Sequence, residues 1–100
     1  MVYITQLIYI LQGQEEVFDA FESIAIPAIP KYKGRLLFRV RPAKEAFIES
    51  HIETPYEIHL VEFETEADFH AFSGDEERKK YLHLKEQSIK ASVLFQGRKL

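Results

Sequence analysis

The chain opens with Val2-Tyr3-Ile4-Thr5-Gln6-Leu7-Ile8-Tyr9-Ile10-Leu11, a run that is β-branched or aromatic in nearly every position. Val2, Ile4, Ile8 and Ile10 fall on one face of a strand, and Tyr3, Leu7, Tyr9 and Leu11 fall on the other. A strand that is apolar on both sides has to be covered on both sides. Any fold that packs helices on only one face of its sheet therefore leaves this chain with a second apolar surface to bury.

The rest of the chain narrows the choice. Gln12-Gly13-Gln14 breaks the strand, and Val17, Phe18, Phe21, Ile24, Ala25 and Ala28 then recur at helical spacing. Glu15 and Glu16 stand in the first turn, where the helix dipole favours acids. Pro27 and Pro30 predict that the last turn distorts or stops around Ile26 to Ile29. From Arg35 to Arg41 the period is two, which predicts a strand with Leu36, Phe38 and Val40 on one face and Arg35, Leu37, Arg39 and Arg41 on the other. Pro42-Ala43-Lys44 interrupts it, residues 46–51 read as a short continuation, and Thr54-Pro55 turns into a further strand over 56–63. Together these make a long, irregular hairpin. Thr65-Glu66-Ala67-Asp68 has the form of a capping box, Phe69 and Phe72 follow on an apolar face, and Gly74 is the expected C-cap. Asp75 then caps a second helical stretch to about Ala91, with Tyr81, Leu82, Leu84 and Ile89 inward, before a short last strand over 93–96.

The order strand, helix, strand, strand, helix, strand predicts an α+β fold of ferredoxin-like βαββαβ type. Its four-stranded antiparallel sheet carries both helices on one face, because each crossover is right-handed. With 100 residues and no repeat or linker, residues 1–100 read as a single domain. A domain of this size buries only roughly two thirds of the surface its unfolded chain exposes. The economical cover for the bare face is an identical sheet related by a two-fold axis, so a homodimer through the sheet face is expected. The alternative is a monomer whose 42–55 segment folds across that face.

Composition limits the chemistry. The absence of cysteine removes disulfides, thiolate metal sites and thiol nucleophiles. The first residues lack a basic n-region, and no apolar run approaches the ~20 residues of a membrane helix, so a cytoplasmic protein without a membrane partner is expected. With 13 basic against 16 acidic residues and a net charge of -3, nucleic acid is not an expected partner. No Ser-His-Asp triad, phosphate loop or dinucleotide fingerprint is visible, and no cofactor is expected.

The charges are segregated. Lys31, Lys33, Arg35, Arg39, Arg41 and Lys44 occur with no acid between Ser23 and Lys44, whereas residues 45–77 hold eleven acids and no Lys or Arg. In a hairpin the basic side chains lie across from Glu57, Glu62 or Glu53, and such pairs contribute roughly 0.2 to 1 kcal/mol each. The functional version of the same pattern has Arg39 and Arg41 presenting a guanidinium fork to a carboxylate-bearing ligand. Glu49, His51 and Glu53 alternate along one side, and Glu57 and His59 follow the turn, a spacing that suits either a metal or an exposed strand edge. His59 is the best-placed base, since it neighbours Glu57 and an imidazole titrates near neutrality. His70 sits at a helix edge or faces a pocket beneath the helices, and His83 looks solvent-facing. Tyr9, Tyr32 and Tyr56 are either core or phenolic donors in an apolar cleft.

Several of these stretches resemble one family. Tyr32-Lys33-Gly34-Arg35-Leu36-Leu37, Phe47-Ile48-Glu49-Ser50, Pro55-Tyr56-Glu57-Ile58-His59-Leu60-Val61-Glu62-Phe63, and Ala67-Asp68-Phe69-His70-Ala71-Phe72 followed by Asp75 and Tyr81, look like the domain-of-unknown-function 1330 family (DUF1330) of the dimeric α/β-barrel superfamily. The resemblance spans about Phe18 to Gly97 and implies the same fold and a homodimer. No biochemical function is established for that family. The leading functional reading is an uncharacterised protein that binds a small organic metabolite, an anionic one where Arg39 and Arg41 hold it, in a pocket between helices and sheet. Arg39, Arg41, Tyr32, Glu49, His70 and Phe72 are the candidate ligand contacts, and His59 the candidate catalytic residue. The wider superfamily adds an alternative, a cofactor-free monooxygenase or isomerase in which His59 works with Arg39 or Arg41 on an anionic intermediate. Its haem-degrading pattern uses an Asn, a Trp and a His, and this chain contains neither Asn nor Trp. A third reading is a purely structural dimer whose pocket is filled by its own aromatics.

Overall fold

The computed structural model describes residues 1–100. Strand β1 (Val2–Ile10) lies at the centre of the sheet, antiparallel to β3 (Glu57–Phe63) on one side and to β4 (Ile89–Gly97) on the other, with β2 (Gly34–Val40) outside β3. Helices α1 (Glu15–Ala28), α2 (Glu66–Ser73), α3 (Glu76–Lys80) and α4 (Leu82–Ser88) cover one face. This is the expected βαββαβ order. No helix is long and apolar enough to cross a membrane.

The core lies between sheet and helices. Ile4 and Val61 pair across β1 and β3, and with Phe63 and Ile29 they form a buried cluster against which Ile26, Leu36, Phe69 and Phe72 pack. Helix α1 runs through Pro27 to Ala28, and the chain then tightens into a 3-10 turn over Ile29–Tyr32. A proline near the C-terminal end removes one backbone bond without breaking the helix upstream. The turn ends at Lys33, which is left-handed with φ 61°, and the chain enters β2 at Gly34. A Cβ on Gly34 would stand 2.5 Å from Phe63 Cε1 and 2.7 Å from Ile29 Cγ2, so only glycine allows this close approach. The Thr65–Asp68 capping box is complete in both directions, and the Asp75 side chain accepts from the Arg78 N–H, as their sequence positions predict.

Three sequence expectations are corrected. The register of β2 against β3 steps from Leu36 opposite Val61 to Phe38 opposite Leu60, so Leu37 is an extra residue. Such a bulge turns every side chain beyond it to the other face. Leu36 therefore faces the helices, Phe38 and Val40 face away from them, and Arg39 and Arg41 turn toward α1. Second, residues 46–51 are not a strand. After the 3-10 turn Lys44–Ala46 the segment runs as a loop without a ladder partner, and Ile48 is 97% exposed. Third, β4 begins at Ile89 instead of Val93, because it pairs with β1 along nearly its whole length. The helical period of 81–91 does not register that long-range pairing.

On the face away from the helices the registers align two cross-strand rows, Phe38–Leu60–Thr5–Phe95 and Val40–Ile58–Leu7–Val93. Phe38, Val40, Val93 and Phe95 are each more than 40% exposed. The 42–55 segment does not lay Ile48 or Ile52 onto this surface, since both side chains are exposed.

Candidate functional site

Two groups of charged residues lie between α1 and the sheet. The first surrounds Glu57, whose side chain is fully buried. Arg39 donates to it from Nε at 2.6 Å and Nη2 at 3.0 Å, Arg41 from Nε at 2.5 Å, and His59 Nε2 lies 2.7 Å from Oε1. Asp19, on the exposed side of α1, accepts from both guanidiniums. The two arginines also stack, Arg39 over Phe18 and Arg41 over Tyr56. Burial alone would raise the Glu57 pKa, but the bonds from His59, Arg39 and Arg41 outweigh it and lower the carboxyl to about 2. Because a carboxylate only accepts, His59 Nε2 carries the proton in its bond to Glu57, and Nδ1 is the ring's free nitrogen.

The second group lines a partly open cavity of about 350 Å³ between α1, the later helices and the sheet. That volume is at the small end of the range for small-molecule sites. Its wall is mainly apolar, with Phe21, Phe63, Phe69 and Phe72 among the lining residues, and it is interrupted by Gln6, Glu22, His59, Arg78 and Lys85. Glu22 is 6% exposed. Its burial raises its pKa, and the nearby charges of His59, Arg39 and Arg78 act against that through space without a hydrogen bond. Arg78 is depressed by burial, donates to the Ser73 carbonyl at 3.2 Å, and lies over the rings of Phe72 and Phe21. Lys85 is depressed by burial and by the like charge of Arg78. Neither cation is within salt-bridge distance of a carboxylate, so the cavity holds two unpaired cations and one unpaired acid.

The residues singled out in the sequence are distributed unevenly around this cavity. His59 and Phe72 line it. Arg39 and Arg41 are engaged by Glu57 and Asp19 beside it. The Tyr32 hydroxyl donates to Asp75 Oδ1 at 2.6 Å, and its ring meets Phe72 edge-on. Glu49 is exposed in the 43–56 loop, and His70 is exposed on α2 with Nε2 3.5 Å from Glu66. His51 is exposed as well, and Glu53 pairs with Lys90 while its carbonyl accepts from the Tyr9 hydroxyl. No three His, Asp or Glu side chains gather as a metal-ligand set, and buried His59 stands apart from the loop residues Glu49, His51 and Glu53.

Sequence reasoning missed Glu22, Arg78, Lys85 and Gln6. Glu22 carried a signal, for it is an acid inside the apolar helical repeat Phe18, Phe21, Ala25, Ala28. Gln6 likewise interrupts the inward row of Ile4 and Ile8. Arg78 lies on α3 and Lys85 on α4, and the surrounding run of lysines and glutamates disguises both as part of a solvated face.

The topology defines a ferredoxin-like α+β protein, and comparison with solved structures agrees. A protein of unknown function from Rhodopseudomonas palustris superposes with a TM-score of 0.81 at 13% identity, covering 99% of this chain and 82% of that one. A protein from Nitrosomonas europaea, named for the antibiotic biosynthesis monooxygenases, gives 0.75 at 11% identity over 100% and 99% of the two chains. A dimeric protein of unknown function with a ferredoxin-like fold from Bacteroides fragilis gives 0.68 at 14% identity over 96% and 93%. At these identities the likeness is one of fold. No protein-family model and no curated protein matches the chain.

Proposed function

We propose that this chain binds a small organic ligand with an apolar body and one anionic group in the cavity between helices and sheet. Arg78 and Lys85 receive the anion, and Phe21, Phe69 and Phe72 pack against the body. The observation that carries the reading is the charge of the cavity wall. A cation that has lost part of its hydration is stabilised by a partner, and Arg78 and Lys85, both half-buried, face the same cavity with a single carboxylate, Glu22. A ligand carboxylate would supply the missing partner, with a planar guanidinium and a point ammonium as complementary donors. Arg39 and Arg41 serve this reading indirectly, since Glu57 and Asp19 already satisfy them, and they hold the wall that carries His59.

The same reading takes the protein to be a homodimer joined through the outer sheet face, a dimeric α/β barrel of the DUF1330 kind. The two exposed apolar rows support it, as does the fold shared with a dimeric protein from Bacteroides fragilis. Native mass spectrometry tests both parts at once. A doubled mass with a discrete adduct is expected, and the adduct is expected to disappear in an Arg78→Met, Lys85→Met variant. A monomer would remove the dimer. An adduct retained by the double variant would remove the assignment of the anion site.

A second reading, a cofactor-free isomerase or monooxygenase, is favoured by one specific feature, the unpaired buried carboxylate of Glu22.

A further inference from the structure

Resting on the binding reading above, we propose that the cavity catalyses proton transfer at carbon, with Glu22 as the base and Arg78 and Lys85 stabilising the enolate of a carbonyl compound that carries an apolar body and an anionic group. Four observations converge on it. Glu22 is the one acidic side chain on the cavity wall, and α1 places it there between Phe21 and Ala25, on the buried side of the helix. It accepts no hydrogen bond from the protein, and yet no buried polar atom of the chain lacks a partner, so its carboxylate is reached from the cavity. The two cations stand on the same wall and are likewise without carboxylate partners. His59 lines the same space, its Nε2 committed to Glu57, which Arg39 and Arg41 hold in place.

A base and oxyanion donors are what an enolisation needs. A carboxylate that burial desolvates and that no protein donor contacts is a stronger base than one in solution, and burial acts on Glu22 in that direction. Glu57 has the opposite character, an orienter that fixes the His59 ring on the cavity wall through Nε2.

The step balances without an oxidant or a cofactor. The Glu22 carboxylate takes a proton from the carbon next to the substrate carbonyl. The C–H electron pair becomes the C=C bond of the enolate, and the C=O pair moves to oxygen, where Arg78 and Lys85 meet the charge. Glu22 then returns the proton to the same carbon or to a conjugated one, and re-formation of the carbonyl completes a tautomerisation or double-bond shift. Every atom of the substrate remains in the product.

Phenylpyruvate and 4-methyl-2-oxopentanoate are the probes, because each joins an apolar tail, a carboxylate and an acidic C3 proton. The intact protein in deuterium oxide is expected to speed loss of the C3 proton signal in NMR above the buffer rate. Glu22→Gln is expected to reduce the enzyme-dependent rate by about 100-fold or more, with Kd for the probe within about threefold by calorimetry. Glu22→Asp, which keeps the charge but withdraws it by one methylene, is expected to fall between the two, and circular dichroism confirms that each variant is folded. If the probes bind and exchange is no faster than in buffer, or is unchanged in Glu22→Gln, the proton-transfer proposal is overturned and the binding reading stands. If neither probe binds at millimolar concentration, both fall.

Discussion

Glu57 and Glu22 are two buried glutamates on either side of the same layer, one on β3 and one on α1, and they behave in opposite ways. Glu57 accepts from two arginines and a histidine and is held at about 2. Glu22 accepts from nothing, and its pKa is raised by the burial it shares with Glu57. Burial therefore does not decide what a carboxylate does; its donors decide. The Glu57 cluster uses its charges to fasten β2 and α1 to β3. The Glu22 group leaves its charges facing a cavity without partners, an arrangement that stability alone does not favour.

The comparison can be broken most forcefully at Glu57. Glu57→Gln leaves Arg39, Arg41 and His59 around a neutral amide, and removing one partner of a buried ion pair costs about 3–5 kcal/mol. Urea unfolding is expected to show a loss of that order. A loss below about 1 kcal/mol would mean that the cluster is not a brace. The pH dependence gives a second, slightly smaller measure. A glutamate whose folded pKa is depressed contributes stability above its unfolded value, and loses it as pH falls through the folded one. For Glu57 the window runs from the ordinary 4.5 down to about 2. About 3 kcal/mol is expected to disappear across it, at 1.36 kcal/mol per pKa unit. Thermal melts from pH 7 to pH 2 should show this decline in the native protein, and Glu57→Gln should flatten it.

Glu22 is expected to respond with the other sign. Its folded pKa is raised, so its contribution is present below the unfolded value and is lost as pH rises through the folded one. At neutral pH the carboxylate is then a burden, and Glu22→Gln is expected to raise stability by about 1 kcal/mol, or about 4–8 °C in Tm for a domain of this size. The gain should shrink toward zero in melts below pH 4. A destabilised Glu22→Gln would show that the residue has a structural partner after all. The smallest effect is expected at Asp19, which binds the same two arginines from the half-exposed side. Asp19→Asn should change the urea midpoint by under about 1 kcal/mol, as exposed ion pairs do. A loss matching Glu57→Gln would erase the distinction between buried and exposed acceptors.

Much of the fold could be read from local pattern. The first helix, the Thr65–Asp68 box and the Asp75 cap are written in residues within one turn of one another, and the structure forms each of them. The hairpin charge pairing was also visible, as Arg35–Glu62 and Arg39–Glu57. The bulge at Leu37 was not, because period-two alternation looks the same on either side of an inserted residue and only the partner strand reveals the step. The site was half legible. His59 and Phe72 stood out by residue type and setting, whereas Arg78 and Lys85 were lost among neighbouring surface charges.

The sequence by itself determined the element order, the helix caps, the two-sided apolar first strand and hence the need for a covered outer face, because hydrophobic period and capping act over a few residues. Only the tertiary structure decided which charges are satisfied. Arg39 meets Glu57 across 18 positions and Tyr32 meets Asp75 across 43, and Glu22 shares a cavity with Arg78 and Lys85 through no bond at all. Whether a charged side chain is brace or reagent depends on which donors reach it and how much water is excluded, and both are set by packing between elements far apart in the chain.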